Sequence, residues 1–128
     1  MDIVSAVFAE NIDLRQAPGP STRIDLTGIM FSMAAPSPPP VTIAPHLILL
    51  VRCRPDEDGQ GILEVVFRDE AGEQVARNAQ PFSVEPGKFT YRLVRGELTY
   101  EQLGTIEAHC RVGQGPTTVV PLTLLPPV

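Results

Sequence analysis

The stretch HLILLVRCR, residues 46–54, alternates between two sets of side chains with the period of a β-strand. One set is wholly apolar and consists of Leu47, Leu49, Val51 and Cys53. The opposite set consists of His46, Ile48, Leu50, Arg52 and Arg54. Because successive side chains of a strand point to opposite faces, the first set is predicted to lie in a core and the second to face outward.

The same alternation recurs on both sides of this stretch, in segments rich in β-branched residues and separated by proline and glycine. In TIEAHCRV, residues 105–112, the apolar even-numbered positions are predicted to face the core. In KFTYRLV, residues 88–94, Phe89, Tyr91 and Leu93 lie opposite Val94, which is assigned to an outer face. Strands are predicted near residues 2–9, 23–33, 46–54, 61–68, 73–77, 88–95, 105–112 and 117–124.

Turn motifs occupy the gaps between these segments. DEDG at 56–59 and DEAG at 69–72 place aspartate first and glycine fourth, which is typical of hairpins with a type I turn. EPGK at 85–88 suits a type II turn. The tract APSPPP at 35–40 is predicted to run extended over the surface, and ELTYEQLG at 97–104 to form a helical turn that ends at Gly104.

Short strands with turns at this spacing predict an all-β fold. The expected architecture is an antiparallel β-sandwich, immunoglobulin-like, with about 7–9 strands. It is expected to form a single domain over residues 1–128.

Charge and composition limit the classes of partner. The formal net charge is −5, and the arginines are scattered among acids without a basic stripe, so no nucleic-acid partner is expected. The longest apolar run is LILLV at 47–51, and the first residues carry acids, so neither a membrane span nor a signal peptide is expected. A cytoplasmic location follows, in which Cys53 and Cys110 are predicted to be buried free thiols rather than a disulfide.

Motifs for calcium binding are incomplete. A calcium loop read from Asp56 requires glutamate at its twelfth position, where this chain has Phe67. The acids of the second turn, Asp69 and Glu70, are separated from the first turn by the length of a strand. Both acidic segments are therefore interpreted as turns.

A zinc site is the alternative that the histidines leave open. His46 and His109 both fall on the outward set of their strands, and Glu107 lies two residues from His109 on the same face. These three residues could support a metal-assisted enzyme if the two strands are neighbours, because a catalytic zinc needs three protein ligands. No phosphate loop, dinucleotide fingerprint or nucleophile elbow is present in the sequence, so no cofactor is expected.

Apolar residues at outward positions point to an interaction surface instead. They are Ile48, Leu50, Val94 and Val119, together with Val41 and Ile43 after the prolines. Exposed Ile48 and Leu50 would form a patch that a protein partner or a second copy covers, as in a homodimer. The other explanation is that the proline segment folds back over them. The predicted interaction surface is Ile48, Leu50, Val41 and Ile43.

The order IDLTGIMFSM, PHLILLVRCR, ILEVVFRDEAGEQV, FTYRLVRGELTYEQLGTIEAHCRV and PLTLLP resembles a family of short, uncharacterised bacterial proteins. The likeness spans most of the chain and implies a β-sandwich without known activity. Residues 88–112 also resemble the E–F corner of immunoglobulin-type sandwiches, although alanine occupies position 108, where the corner tyrosine would stand. That resemblance implies that Cys53 and Cys110 lie on neighbouring strands of one sheet. The expected function is a non-catalytic binding or assembly module, with a small-ligand-binding sandwich as a further alternative.

Overall fold

The computed structural model describes residues 1–19 and 21–128. These residues form eleven β-strands and no helix, so the all-β prediction is confirmed. The strands are β1 (Asp2–Ala17), β2 (Ser21–Met30), β3 (Ser32–Ala34), β4 (Val41–Ile43), β5 (His46–Arg52), β6 (Gln60–Arg68), β7 (Gln74–Ser83), β8 (Phe89–Arg95), β9 (Leu98–Tyr100), β10 (Gly104–Val112) and β11 (Thr118–Leu125). Within the described part of the chain, no helix is therefore long and apolar enough to cross a membrane.

Three sheets organise these strands. Sheet A has four strands in the order β2-β1-β5-β8, all antiparallel. Sheet B has five strands in the order β3-β11-β10-β6-β7, and only β3 runs parallel to its neighbour. Sheet C is the antiparallel pair β4-β9. One core cluster contains buried side chains from both sheet A and sheet B, an arrangement consistent with a sandwich.

The alternation of HLILLVRCR is observed as predicted. Leu47, Leu49, Val51 and Cys53 are at most 1% exposed, because β5 lies in the interior of sheet A between β1 and β8. In β10 the predicted inward residues Ile106, Ala108, Cys110 and Val112 are also buried. Period-two alternation therefore identified the core face of both central strands.

The orientation of β8 differs from the prediction. Val94 lies opposite Leu47 in the β5–β8 register and is 2% exposed, whereas Phe89 and Leu93 are 62% and 40% exposed. The inward set of β8 includes Arg92, which stands at the edge of the core. Its guanidinium lies 5.3 Å from the centroid of the Phe82 ring and donates two hydrogen bonds to Oε1 of Gln80. Three bulky side chains thus face outward because the pairing with β5 sets the register.

The predicted turns are present, but one of them makes a different connection. Gly72 has a φ of +82° and donates to the carbonyl of Asp69, as the turn in DEAG requires, and it joins the neighbouring strands β6 and β7. Gly87 has a φ of +84°, and Lys88 donates to the carbonyl of Glu85, as expected for EPGK. DEDG is not a hairpin turn, because it leads from β5 in sheet A to β6 in sheet B.

The predicted helical turn at 97–104 is wrong. Leu98 and Tyr100 are buried on either side of exposed Thr99, which is strand alternation. The Tyr100 hydroxyl donates to the carbonyl of Leu122 at 2.7 Å. These contacts favour the short strand β9, which pairs with β4 directly after the proline tract.

Candidate interaction surface

The outward side of sheet A carries a group of apolar side chains on neighbouring strands, here named the apolar face. The strand registers place Val7, Ile48 and Leu93 side by side across β1, β5 and β8. The next outward row contains Leu50 and Tyr91. The apolar face consists of Val7, Ala9, Ile29, Ile48, Leu50, Phe89, Tyr91 and Leu93.

Exposure across the apolar face rises from its centre to its rim. Ile48 is 4% exposed although it is not part of the core cluster, and it lies between Val7 and Leu93 in the strand registers. Leu50 and Leu93 are 38% and 40% exposed, and Phe89 at the edge is 62% exposed. Contiguous exposed apolar side chains of this kind mark interaction sites on soluble proteins.

Two arginines stand on the same side of sheet A as the apolar residues. Arg52 lies opposite Phe89, and Arg95 lies opposite His46. Arg95 donates through Nε to the carbonyl of Ala44 at 3.0 Å, which fixes its stem at one end of the face. Aromatic residues and arginine are enriched at protein interfaces, so the composition of this face is that of an interface with a polar rim.

The outward side of sheet B has a different chemistry. Glu64 accepts from Arg77 at 2.7 Å and lies 3.7 Å from Arg111, on three neighbouring strands. The Arg77 guanidinium lowers the pKa of Glu64 below its usual range. His109 and Glu107 form a further contact of 3.4 Å on β10. These charged side chains satisfy one another, and the apolar Ile62 and Val119 are exposed on the same surface.

The four predicted interaction residues separate into two pairs. Ile48 and Leu50 lie on the apolar face, as expected from the sequence. Val41 and Ile43 do not: they belong to sheet C and pack against the core cluster. The segment that follows the prolines is therefore held by β9, because its alternate apolar residues find a partner strand near the core.

The predicted zinc ligands are not brought together. His46 is on β5 in sheet A and His109 is on β10 in sheet B, so the requirement for neighbouring strands is not met. Their side chains point away from the core on opposite sides of the fold. Glu107 contacts only one of the two histidines, and no group of three or more metal-binding side chains occurs in residues 1–19 and 21–128.

The acids of DEAG bind backbone groups. Oδ1 of Asp69 accepts from the amides of Ala71 and Glu73, each at 3.0 Å. Oε1 of Glu70 accepts from the amide of Thr105 at 2.8 Å, which ties the turn to the start of β10. Two clefts lie beside this contact. One has a volume of about 110 Å³, and the other, which is more open and is also lined by Glu107 and His109, has a volume of about 490 Å³, within the roughly 300–1,000 Å³ of sites for small ligands.

Both cysteines are buried and free, as the sequence predicts. They do not lie on neighbouring strands of one sheet, which corrects the expectation drawn from immunoglobulin-type sandwiches. Cys53 follows β5 of sheet A, whereas Cys110 is on β10 of sheet B. Burial raises the pKa of the Cys110 thiol to about 12, so this thiol is protonated and unreactive at neutral pH.

Sequence reasoning missed the largest part of the apolar face, because it assigned Phe89, Tyr91 and Leu93 to the core. The charge of Arg92 favoured that assignment, because it makes the set Thr90, Arg92 and Val94 look like the outward one. Only the register with β5 resolves the two orientations. Comparison with known proteins adds no relative: no family model matches the chain, and no curated protein matches it.

Proposed function

We propose that this protein is a non-catalytic interaction module that docks a partner protein on the apolar face. The observation that carries the proposal is the difference between the two outward surfaces. On the outward side of sheet B, exposed Ile62 and Val119 stand on strands that are not neighbours, beside the ion pairs of Glu64, whereas on sheet A exposed Leu50, Phe89 and Leu93 lie on the two neighbouring strands β5 and β8. An antiparallel sheet with one solvated face normally has polar side chains there, so an apolar outward face indicates a partner.

The shape of the apolar face favours a protein over a small molecule. Neighbouring strands carry its side chains in rows, and Ile48 fills its centre, so the surface is broad. Partners that bind such surfaces bury anchors around a central cluster. Tyr91, Phe89 and the two arginines supply the residue types that usually carry binding energy.

The proposal includes three further expectations from the sequence. One is the immunoglobulin-like form of the sandwich, which is supported by two sheets that share one core. Another is a cytoplasmic location, supported by two free buried thiols, which are usual in a reducing compartment. The last is bacterial origin, for which the resemblance of the sequence is the support.

A matched set of surface variants tests the docking site. Leu50→Asp combined with Leu93→Asp places two charges on the apolar face, whereas Val119→Asp places one charge on the outward side of sheet B. Val119 is 44% exposed, close to the 38% and 40% of the two leucines, so the substituted side chains are exposed to water to a similar extent. Circular dichroism and melting temperature establish that all variants fold.

The measurement is quantitative capture of proteins from the native host on immobilised wild type and variants. We expect a protein retained by the wild type to be lost by the Leu50→Asp, Leu93→Asp variant and kept by Val119→Asp. Equal retention by the wild type and both variants would show that the apolar face does not bind the partner.

A further inference from the structure

The strands β1 and β2 extend beyond the rest of sheet A as a two-stranded arm. The β1–β5 pairing ends at Ala9 opposite His46, but the β1–β2 pairing continues to Ala17 opposite Ser21. We use the name arm for residues 11–17 and 21–27. At about 3.3 Å per residue, the arm projects roughly 25 Å past the last residue pair with β5. Within the arm both strands have a free edge, since β2 has β1 as its neighbour and β1 no longer pairs with β5 after Ala9.

The two sides of the arm differ in chemistry. On one side Ile12 lies opposite Leu26 and Leu14 lies opposite Ile24. None of these four belongs to the core cluster or to the partly buried residues packed against it, and Leu14 is 47% exposed. A two-stranded hairpin is only marginally stable by itself in water, so an arm of this length is expected to gain stability from further strands.

The other side of the arm carries an unusual charge pattern. Asp13 lies directly opposite Asp25, and Arg15 lies directly opposite Arg23. Like charges directly opposite each other destabilise a strand pair. The diagonal contact between Arg15 Nε and Asp25 Oδ2, at 2.6 Å, relieves part of this repulsion. Arg23 instead donates to the Ser21 hydroxyl at 3.1 Å, and no ion pair in the described part of the chain includes it.

We propose that a second copy of the chain adds its β2 antiparallel to the free edge of β2, with the two-fold axis at Ile24. This register places Ile24 opposite Ile24 of the second copy and Arg23 opposite Asp25 of the second copy. Each dimer therefore gains two cross-strand pairs of opposite charge, together with main-chain hydrogen bonds along the shared edge.

The charge pattern selects this register over its neighbours. Directly opposite residues of antiparallel strands point to the same face, whereas consecutive residues of one strand point to opposite faces. The two-fold axis must therefore lie between a residue and the same residue of the second copy. An axis at Arg23 places two arginines opposite each other, and an axis at Asp25 does the same with two aspartates. An axis at Leu26 pairs Asp25 with uncharged Thr27. Of these four axes, only the axis at Ile24 makes both charges of β2 complementary.

The added strand also organises the remainder of the arm. Across the four strands, Asp13 and Asp25 of one copy form a row with Arg23 and Arg15 of the other. On the opposite side, Leu14 and Ile24 continue into Ile24 and Leu14 of the second copy. Charged residues on an edge strand normally discourage pairing with other chains, and here the same charges admit an identical strand in one register.

This dimer uses a different surface from the apolar face, so the two proposals fail separately. Charge reversal tests the dimer. Arg23→Asp and Asp25→Arg each place like charges opposite each other across the axis, and the double variant restores opposite charges. Sedimentation velocity over a concentration series is expected to show a dimer for the wild type, at least tenfold weaker association for each single variant, and recovery in the double variant.

The direction of the stability change distinguishes weaker pairing between two copies from a change in the stability of the hairpin within one copy. Inside the hairpin, Arg23→Asp replaces repulsion from Arg15 by attraction, so a monomeric arm would be stabilised. The proposed dimer predicts that the same substitution weakens association, because it places two aspartates opposite each other across the axis. A wild type that stays monomeric at millimolar concentration overturns the proposal, and so does a dimer that both single variants leave unchanged.

A cysteine placed on the axis gives an independent test. Ile24→Cys is expected to form a disulfide-linked dimer under mild oxidation, because the two Cα atoms lie within the roughly 4.4–6.8 Å that a disulfide spans. Leu14→Cys is the matched control: it is on the same side of the arm, but three strand spacings, or roughly 14 Å, separate its two copies. The native thiols are buried and contribute little background. Equal cross-linking of both variants, or none with Ile24→Cys, would reject the register.

Discussion

Asp69 fixes a turn with one carboxylate oxygen, which accepts both the Ala71 and the Glu73 amides. Asparagine presents an equivalent oxygen, so the charge of Asp69 is not required for these hydrogen bonds. Gly72 completes the turn at a φ of +82°, with no heavy atom within 4 Å of the position that a Cβ would occupy. The requirement for glycine is therefore conformational rather than steric.

The first prediction distinguishes this turn from a cation site. Gly72→Val is expected to destabilise the protein by about 1 kcal/mol or more, because a β-branched residue is strained at positive φ. Asp69→Asn is expected to change the free energy of unfolding by less than about 0.5 kcal/mol. Urea denaturation measures both changes.

Millimolar calcium or magnesium provides the control for that prediction. A bound cation stabilises the folded state by mass action, so a cation site would raise the melting temperature. We expect no shift. A saturable shift that Asp69→Asn abolishes would mean that the turn binds a cation.

At the scale of elements, the strand β8 shows why one orientation cannot always be chosen from sequence. Its two sets are Phe89, Tyr91 and Leu93 on one side and Thr90, Arg92 and Val94 on the other. Size favours the first set for the core. Pairing with β5 places Val94 beside Leu47 instead, and Phe82 and Gln80 accommodate Arg92 at the edge.

Truncation of neighbouring residues in β8 tests this orientation. Val94→Ala removes a buried side chain and is expected to cost about 2 kcal/mol of unfolding free energy. Leu93→Ala removes a larger but exposed side chain and is expected to cost less than about 0.5 kcal/mol. Equilibrium denaturation of the two variants gives the comparison, and the opposite ranking would mean that β8 is turned over.

Elements whose two faces differ sharply in polarity were predictable, and those that depend on distant pairing were not. The core faces of β5 and β10 follow directly from HLILLVRCR and TIEAHCRV. The extension of β1 to Ala17 was missed, although Ile12 and Leu14 continue its alternation, because those residues meet no core. Residues 97–104 resembled a helical turn in isolation, and only the partner strand β4 makes Leu98–Tyr100 a strand.

The same distinction applies to the candidate site. Ile48 and Leu50 could be placed on an outward face from their own strand alone. Phe89, Tyr91 and Leu93 could not, because the register between β5 and β8 brings them beside those residues. Val41 and Ile43 do not lie on the predicted surface, because β4 belongs to sheet C and β5 to sheet A, and local alternation does not describe this change of sheet.

At the scale of the whole molecule, the two proposed surfaces have a fixed relation. The two-fold axis at Ile24 is perpendicular to the shared sheet, and such an axis keeps each face of the sheet on its own side. The charged side of the arm and the apolar face are both outward sides of sheet A, as the continuous β1 register shows. In the proposed dimer the two copies of the apolar face would therefore lie on the same side of the shared sheet, turned from each other by the twist of the arm.

Two apolar faces on one side of a shared sheet predict bivalent binding. A dimer can engage two copies of an immobilised partner, and the second contact is then intramolecular, with an effective concentration that slows release. We expect the wild type to dissociate from a densely coated partner surface at least tenfold more slowly than Arg23→Asp. On a sparsely coated surface the two should dissociate at the same rate, because each apolar face is unchanged.

Surface plasmon resonance at two coating densities measures this difference once capture has supplied the partner. The variant carrying Leu50→Asp and Leu93→Asp is expected to bind neither surface while remaining dimeric by sedimentation. Surfaces far apart in the structure act independently, so its loss of binding should not weaken association through β2. If Arg23→Asp and the wild type leave the dense surface at the same rate although only the wild type is dimeric, the two apolar faces of the dimer do not engage immobilised partners together.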